Sequence, residues 1–221
     1  MKIYVQKWKY IMQDKKFITS LVVGFLFLIL SLIINYLAGT YATKEASLSV
    51  TDIILSNIPV FDVDNIFIYG SLVFWIFTTL TLLYNPKKIP FSLKAVALFI
   101  IIRSVFISLT HLGPFPTQIN IDSVGFFSKL IFDGDLFFSG HTGLPFLMAL
   151  TFWQEKTLRY IFIISSIVFG LIVLMGHLHY SIDVLGAFFI TYTIFHIAEF
   201  LFKKDRLFFY SEIKNSQDIS L

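Results

Sequence analysis

The sequence contains no cysteine. That absence excludes disulfides, thiolate nucleophiles and cysteine metal sites together. Charge is the second scarcity: Asp, Glu, Lys and Arg make up 14% of the 221 residues, against about 25% in soluble domains. With 57% of the residues hydrophobic, the deficit points to lipid as the solvent rather than to a large water-soluble core. Internal repeats, low-complexity tracts and a boundary to a second domain are also lacking.

What the chain does have is a series of apolar runs. Six are long enough to cross a bilayer, which takes about 20 residues. They cover roughly 17–39, 66–84, 91–112, 136–153, 158–176 and 182–202. The first, FITSLVVGFLFLILSLIINYLAG, is too long for a signal-peptide core and lacks a small-residue cleavage site, so it reads as a retained span. The expected fold is all-α, a polytopic bundle of six transmembrane helices over 17–202. A short N-terminal tail (1–16) precedes it, and a polar C-terminal tail (203–221) is expected to fray from Lys203 onward.

Fourteen of the 17 Lys and Arg residues fall in the two tails, around Lys87, Lys88 and Lys94, and at Lys156 and Arg159. The connections 40–65 and 113–135 carry just Lys44 and Lys129, and Arg103 lies inside a span. The excess of positive charge on cytoplasmic loops then predicts cytoplasmic termini. The connections 40–65, 113–135 and 177–181 are expected to face outside, toward periplasm, extracellular space or lumen.

Ionisable residues at membrane depth are costly and mark function. Here they are Arg103, His111, His141, His177, His179, Asp183, His196 and Glu199. The topology gathers His111, His141, His177, His179 and Asp183 at the outer face. Arg103 lies about two to three turns below it and can reach toward it. His196 and Glu199 fall near the opposite end and read as an interfacial pair.

In GHLHYSIDVLGA, His179 and Asp183 are four residues apart, on one face if the sixth helix begins here. A carboxylate beside an imidazole fixes its tautomer and supports positive charge on the ring. A solubilising cap pair is the plain alternative, but a second histidine and an arginine at the same membrane face favour function. In DGDLFFSGHTG, Ser139 can cap a helix whose first amides, at Gly140, His141 and Thr142, then bind an anion, phosphate in particular. A bare helix cap explains the Ser-Gly pair but not the histidine. The chemistry that fits is phosphoryl-type transfer through a phosphohistidine. His179 attacks phosphorus, Asp183 holds its ring and His141 protonates the leaving oxygen. Arg103 and the Ser139–Thr142 amides stabilise the developing charge. No metal or other cofactor is expected.

DGDLFFSGHT and HLHYSIDV resemble the two histidine motifs of the sphingomyelin synthase family, a branch of the type-2 phosphatidic acid phosphatase superfamily. RSVFISLTHLGP is similar to the arginine-bearing motif that precedes them, and the match in order and spacing runs from about 103 to 190. The resemblance implies a six-span phosphatidic acid phosphatase-like bundle with cytosolic termini and an outward-facing site. It makes His179 the nucleophile, Asp183 its partner and His141 the acid. It adds Asp135 as a head-group contact. Tyr180, inside the second motif, is expected to bind substrate as well. The wider superfamily carries a lysine seven residues before an Arg-Pro pair and an arginine six residues before the nucleophile. Those positions are Val96 and Val173 here, and Arg103 is followed by Ser104. These departures favour the synthase branch over a generic phosphatase, while Asp133 stands where the synthase motif usually has cysteine.

Three readings stay open at this level. The first is transfer of a phospho-head group from a phospholipid donor to a ceramide- or diacylglycerol-like acceptor. The second is hydrolysis at the same site, releasing phosphate from phosphatidate or an isoprenoid diphosphate. The third is metal binding by the His-Leu-His element with Asp183, or ion transport. An apolar chamber favours transfer, and a charged, water-accessible pocket favours hydrolysis. Metal binding requires an extended segment, because His177 and His179 point to different sides of a helix. Nucleic acid is not an expected partner, and homo-oligomerisation stays open. SVTDIILSNIPV and SVGFFSKLIF, in the outer connections, have the amphipathic character of membrane-surface helices.

Overall fold

The computed structural model describes residues 2–119 and 136–210. Among these the order is α1 (Lys2–Ile11), α2 (Lys15–Lys44), α3 (Asp64–Tyr84), a 3-10 turn (Pro86–Lys88), α4 (Ile89–Leu109), α5 (Gly140–Thr151), α6 (Lys156–Met175), α7 (Ser181–Leu201) and α8 (Lys203–Tyr210). The protein is all-helical, with no strand among the described residues.

Five helices, α2, α3, α4, α6 and α7, are long and apolar enough to cross a membrane. They occupy five of the six expected runs. Their outward faces are apolar too, with Tyr69 of α3 62% exposed and Phe200 of α7 81% exposed, as suits helices solvated by lipid.

The fourth run differs from expectation. Its helix, α5, has 12 residues, about 18 Å at 1.5 Å per residue, against a hydrocarbon thickness of about 30 Å. The chain ahead of it is not helical: Phe137 and Phe138 have φ of 136° and 23°, and Ser139 is extended. α5 is therefore too short to cross a membrane by itself, and Ser139 and Thr142 at its N-terminus are buried.

Close helix packing positions that terminus. α2 runs along α4 with Gly24, Ser31, Ala38, Gly39 and Ala42 buried, small residues that let two backbones approach. A tight point inside the helix bundle is Gly143 of α5. A Cβ there would lie 2.7 Å from Cζ of Phe99 on α4 and 2.8 Å from Oγ1 of Thr191 on α7. Edge-to-face aromatic pairs fill the core around it, including Phe74–Phe162, Phe91–Phe195 and Phe99–Phe138.

Two further expectations are corrected. The segment after Lys203 does not fray but forms α8 as far as Tyr210, with Arg206 and Phe209 buried. Arg206 donates from Nη1 to the Thr151 carbonyl at 2.8 Å and from Nε to Oε1 of Glu199 at 3.0 Å. Lys94 of α4 donates to Oδ2 of Asp205 at 2.6 Å and to Oγ of Ser20 at 2.7 Å. Charges that read as solvated in sequence are thus paired inward. His196 and Glu199 do pair, at 3.2 Å, at this same end. The second correction concerns residues 49–60, which form turns anchored on the bundle through buried Leu55 rather than a surface helix. Residues 123–132, the other amphipathic segment, lie outside the described residues, as do 211–221 of the tail.

Candidate active site

The second histidine motif turns the chain from α6 into α7. His177 takes a left-handed φ of 54°, and α7 starts four residues later at Ser181. Oδ2 of Asp183 accepts the Tyr180 backbone N–H at 3.1 Å, and the same oxygen lies 3.2 Å from Nδ1 of His179. A carboxylate can only accept, so the imidazole proton sits on Nδ1 and the lone pair on Nε2. His177 turns elsewhere. Its Nδ1 is 2.6 Å from Oγ1 of Thr117, and its ring meets Phe115 edge-on at 5.4 Å. Burial pushes its basicity below the ordinary value, against the opposing pull of the Ile58 carbonyl and the Asp52 carboxylate. The two histidines of His-Leu-His therefore do not converge, and no group of three His, Asp or Glu that could hold a metal occurs among the described residues.

The first motif is laid between α4 and α7. Nε of Arg103 donates to the Phe138 carbonyl at 3.1 Å, and the Ser139 N–H donates to the Asp183 carbonyl at 3.1 Å. That last bond joins the two motifs directly. Oγ of Ser139 accepts the Thr142 N–H at 3.4 Å, and its carbonyl accepts that of Gly143 at 2.9 Å. The amides of Gly140 and His141 come before this first intrahelical bond, where a helix presents donors to an anion. A Cβ on Gly140 would lie 3.4 Å from Nε of Arg103, so the guanidinium is set against the first turn of α5. The His141 ring packs on Phe67 with centroids 4.1 Å apart.

Positive φ at Phe137 and Phe138 costs about 1–3 kcal/mol per residue. The buried Phe138 ring, edge-on to Phe99 and Phe106, and Phe137 stacked on Phe106 at 5.2 Å hold the turn in place. Burying the Phe138 ring contributes about 1.5–3 kcal/mol, which offsets part of that strain.

Arg103, Gly140, His141 and His179 line one cavity of about 370 Å³. Its other walls are mostly aromatic and aliphatic, among them Phe67, Phe74, Trp75 and Phe169. Two carboxamides also line it, Asn35 and Gln118. Oε1 of Gln118 is buried with no hydrogen-bond partner among the described residues. Neither carboxamide was among the expected site residues. Asn35 is legible as the one amide inside the first apolar run, whereas nothing in the sequence marks Gln118.

Asp183 stands behind His179 rather than in the cavity wall. Ser139 and Thr142 are buried and do not line it either; their part is to start the helix. Tyr180, expected among the substrate contacts, is 1% exposed. Its hydroxyl donates to the Gly113 carbonyl at 2.8 Å and accepts the Val50 N–H at 3.2 Å, so it ties loops together away from the cavity. His111 stacks edge-on to Tyr41 at 5.3 Å, also outside the cavity. Asp135 lies outside the described residues.

Fold and site together define a multi-pass helical membrane protein in which a His–Asp pair, a second histidine and an arginine meet at a helix N-terminus. Residues 134–200 match the family model of the PAP2 superfamily C-terminal domain, which supports the PAP2 superfamily, whose members are typically phosphatases or phosphotransferases. The match includes His141, His179 and Asp183 and leaves Arg103 outside it. No curated protein and no solved structure matches the chain.

Proposed function

We propose that the protein is a lipid phosphotransferase of the sphingomyelin synthase type, moving a phospho-head group between lipids through a phosphohistidine on His179. The observation that carries this reading is the shared cavity wall of His179, His141, Arg103 and the first turn of α5, with Asp183 on the far side of the His179 ring.

The donor phosphate sits against Arg103 and the Gly140 and His141 amides. Nε2 of His179 attacks phosphorus, the bond from phosphorus to the lipid alcohol oxygen breaks, and His141, whose protonated form the bound phosphate's negative charge favours, gives its proton to that oxygen. Asp183 stabilises the positive charge gained by the His179 ring. An acceptor alcohol then attacks phosphorus, its proton goes to His141 and the P–N bond breaks, which restores His179. Arg103 and the helix amides hold the charge on the phosphoryl oxygens in both steps.

The aromatic walls support transfer to a lipid alcohol over hydrolysis, because an apolar chamber keeps water from competing with the acceptor. A ceramide- or diacylglycerol-like acceptor suits such walls, and the donor is a phospholipid. The 14 Lys and Arg residues in the tails and at one end of the bundle support cytoplasmic termini and a site that opens to the outer side.

The test supplies purified protein in detergent with fluorescent ceramide or diacylglycerol, mixed phospholipids and phosphatidate, beside His179→Ala and with a chelator present. A new fluorescent phospholipid that is absent with the variant is the expected product. Free phosphate without a new lipid turns the assignment to a lipid phosphatase using the same site. Undiminished activity in His179→Ala overturns both.

A further inference from the structure

The connection between α2 and α3 crosses the end of the bundle above the His179 segment and is bonded to that segment at several points. The Phe61 N–H donates to the Met175 carbonyl at 2.8 Å, and the Val50 N–H to the Tyr180 hydroxyl at 3.2 Å. The strongest tie is a carboxylate. Oδ2 of Asp52 accepts the Ser181 N–H at 2.7 Å, while Oδ1 accepts those of Ile54 at 2.8 Å and Leu55 at 3.0 Å. One oxygen folds the turn of the connection, and the other holds the first residue of α7. Asp52 is 7% exposed, and the turn it caps drives Leu55 against Leu136 and Tyr180.

Ser181 is the first residue of α7, so its N–H has no carbonyl partner within the helix. A carboxylate there satisfies the donor and complements the positive end of the helix dipole. Asp183 takes the preceding amide, that of Tyr180, at 3.1 Å. Two carboxylates thus grip consecutive N–H groups immediately after His179, and one of them comes from a connection far away in sequence.

We propose that Asp52 is a positioning residue for His179, clamping the α2–α3 connection onto the start of α7 and fixing the backbone on which His179 and Asp183 meet. Its effect on turnover rests on His179 acting as the nucleophile; its effect on the backbone does not. Burial acts to raise the Asp52 carboxyl, but the amides of Leu55, Ser181 and Ile54 outweigh it and hold the group below its ordinary value of 3.8. The clamp is therefore ionised at neutral pH, where His177 and Tyr180 are the titratable groups that feel its charge.

Two substitutions remove the same bond from opposite sides. Asp52→Ala removes both accepting oxygens, and with them the bond to the Ser181 N–H. Ser181→Pro removes the donor at a position where a helix accepts proline, and Tyr180 before it already has φ −66° and ψ 155°, the region that a residue preceding proline prefers. Hydrogen exchange read by mass spectrometry on the full chain in detergent should show amides in 178–184 exchanging about tenfold faster or more in either variant, the change expected from losing about 1.4 kcal/mol of protection. The double variant should exchange no faster than the single ones, and kcat for head-group transfer should fall in each with KM nearly unchanged. Unchanged exchange over 178–184 in Asp52→Ala overturns the clamp, as does a lowered Tm with kcat intact below it. If the wild-type chain transfers no head group, the functional reading fails on its own and the exchange result still decides the clamp.

Discussion

Oδ2 of Asp183 lies 3.2 Å from Nδ1 of His179 and 3.1 Å from the backbone nitrogen of Tyr180. A single oxygen therefore both starts α7 and sets the face that the imidazole turns to the cavity. Asp183→Asn removes the charge and leaves an amide that cannot serve both contacts once it turns its NH2 to the ring. An amide that presents its NH2 to Nδ1 moves the ring proton to Nε2, where the proposed reaction needs a lone pair. Head-group transfer by this variant should fall about 10³-fold or more, mostly in kcat. The assay should be run well below the variant's Tm so that folded protein is compared with folded protein.

His177 supplies a pH signature outside the spans. Burial holds its ring below the ordinary value of 6.5, so the folded state favours neutral imidazole. A depressed basicity contributes stability that is fully present above 6.5 and is lost as pH falls below it. Tm in detergent should therefore decline on acidification from pH 6.5 downward. In His177→Asn this part of the slope should disappear, because asparagine tolerates the left-handed φ of 54° and carries no titrating ring.

Gly143 sets how closely α5 approaches α4 and α7. With Cζ of Phe99 2.7 Å from where a Cβ would stand, Gly143→Ala must displace a buried ring or a helix. The expected cost is about 1–3 kcal/mol, read as a lower denaturation midpoint. The same displacement shifts the helix end that carries His141, so transfer should slow as well.

The opposite end of the bundle separates stability from chemistry. Lys94 is buried and shares Asp205 with Ser20. Asp205→Asn leaves that ammonium without its carboxylate, which costs about 3–5 kcal/mol for a buried pair. A large fall in Tm should accompany a nearly unchanged kcat at temperatures below it, since neither residue lines the cavity.

Local patterns in the sequence carry much of this arrangement. The runs at 17–39 and 66–84 lie within α2 and α3, because an apolar stretch can be read without knowing its partners. The capping of Thr142 by Ser139 follows from a spacing of three residues, whereas His179 meets Asp183 from the turn ahead of α7 rather than from the helix itself. The short α5 is hidden because Phe137 and Phe138 are as apolar as a span while their backbone is not helical. α8 is hidden because Asp205 and Arg206 read as solvent-facing until Lys94, Ser20 and Glu199 are brought to them. Asp52 bonding to Ser181 and Gln118 lining the cavity are long-range facts of the same kind. The substrate role implied for Tyr180 meets a hydroxyl already engaged by Gly113 and Val50.

The central claim is a covalent bond between His179 and the phosphorus of a lipid head group. The most direct measurement mixes the protein with a phospholipid radiolabelled at phosphorus, quenches in alkali and maps the label by peptide. Alkali-stable, acid-labile label confined to the peptide that contains His179, absent in His179→Ala and discharged by adding acceptor lipid, is the expected result. Turnover of the lipid with no label on that peptide, or label on another residue, contradicts the claim.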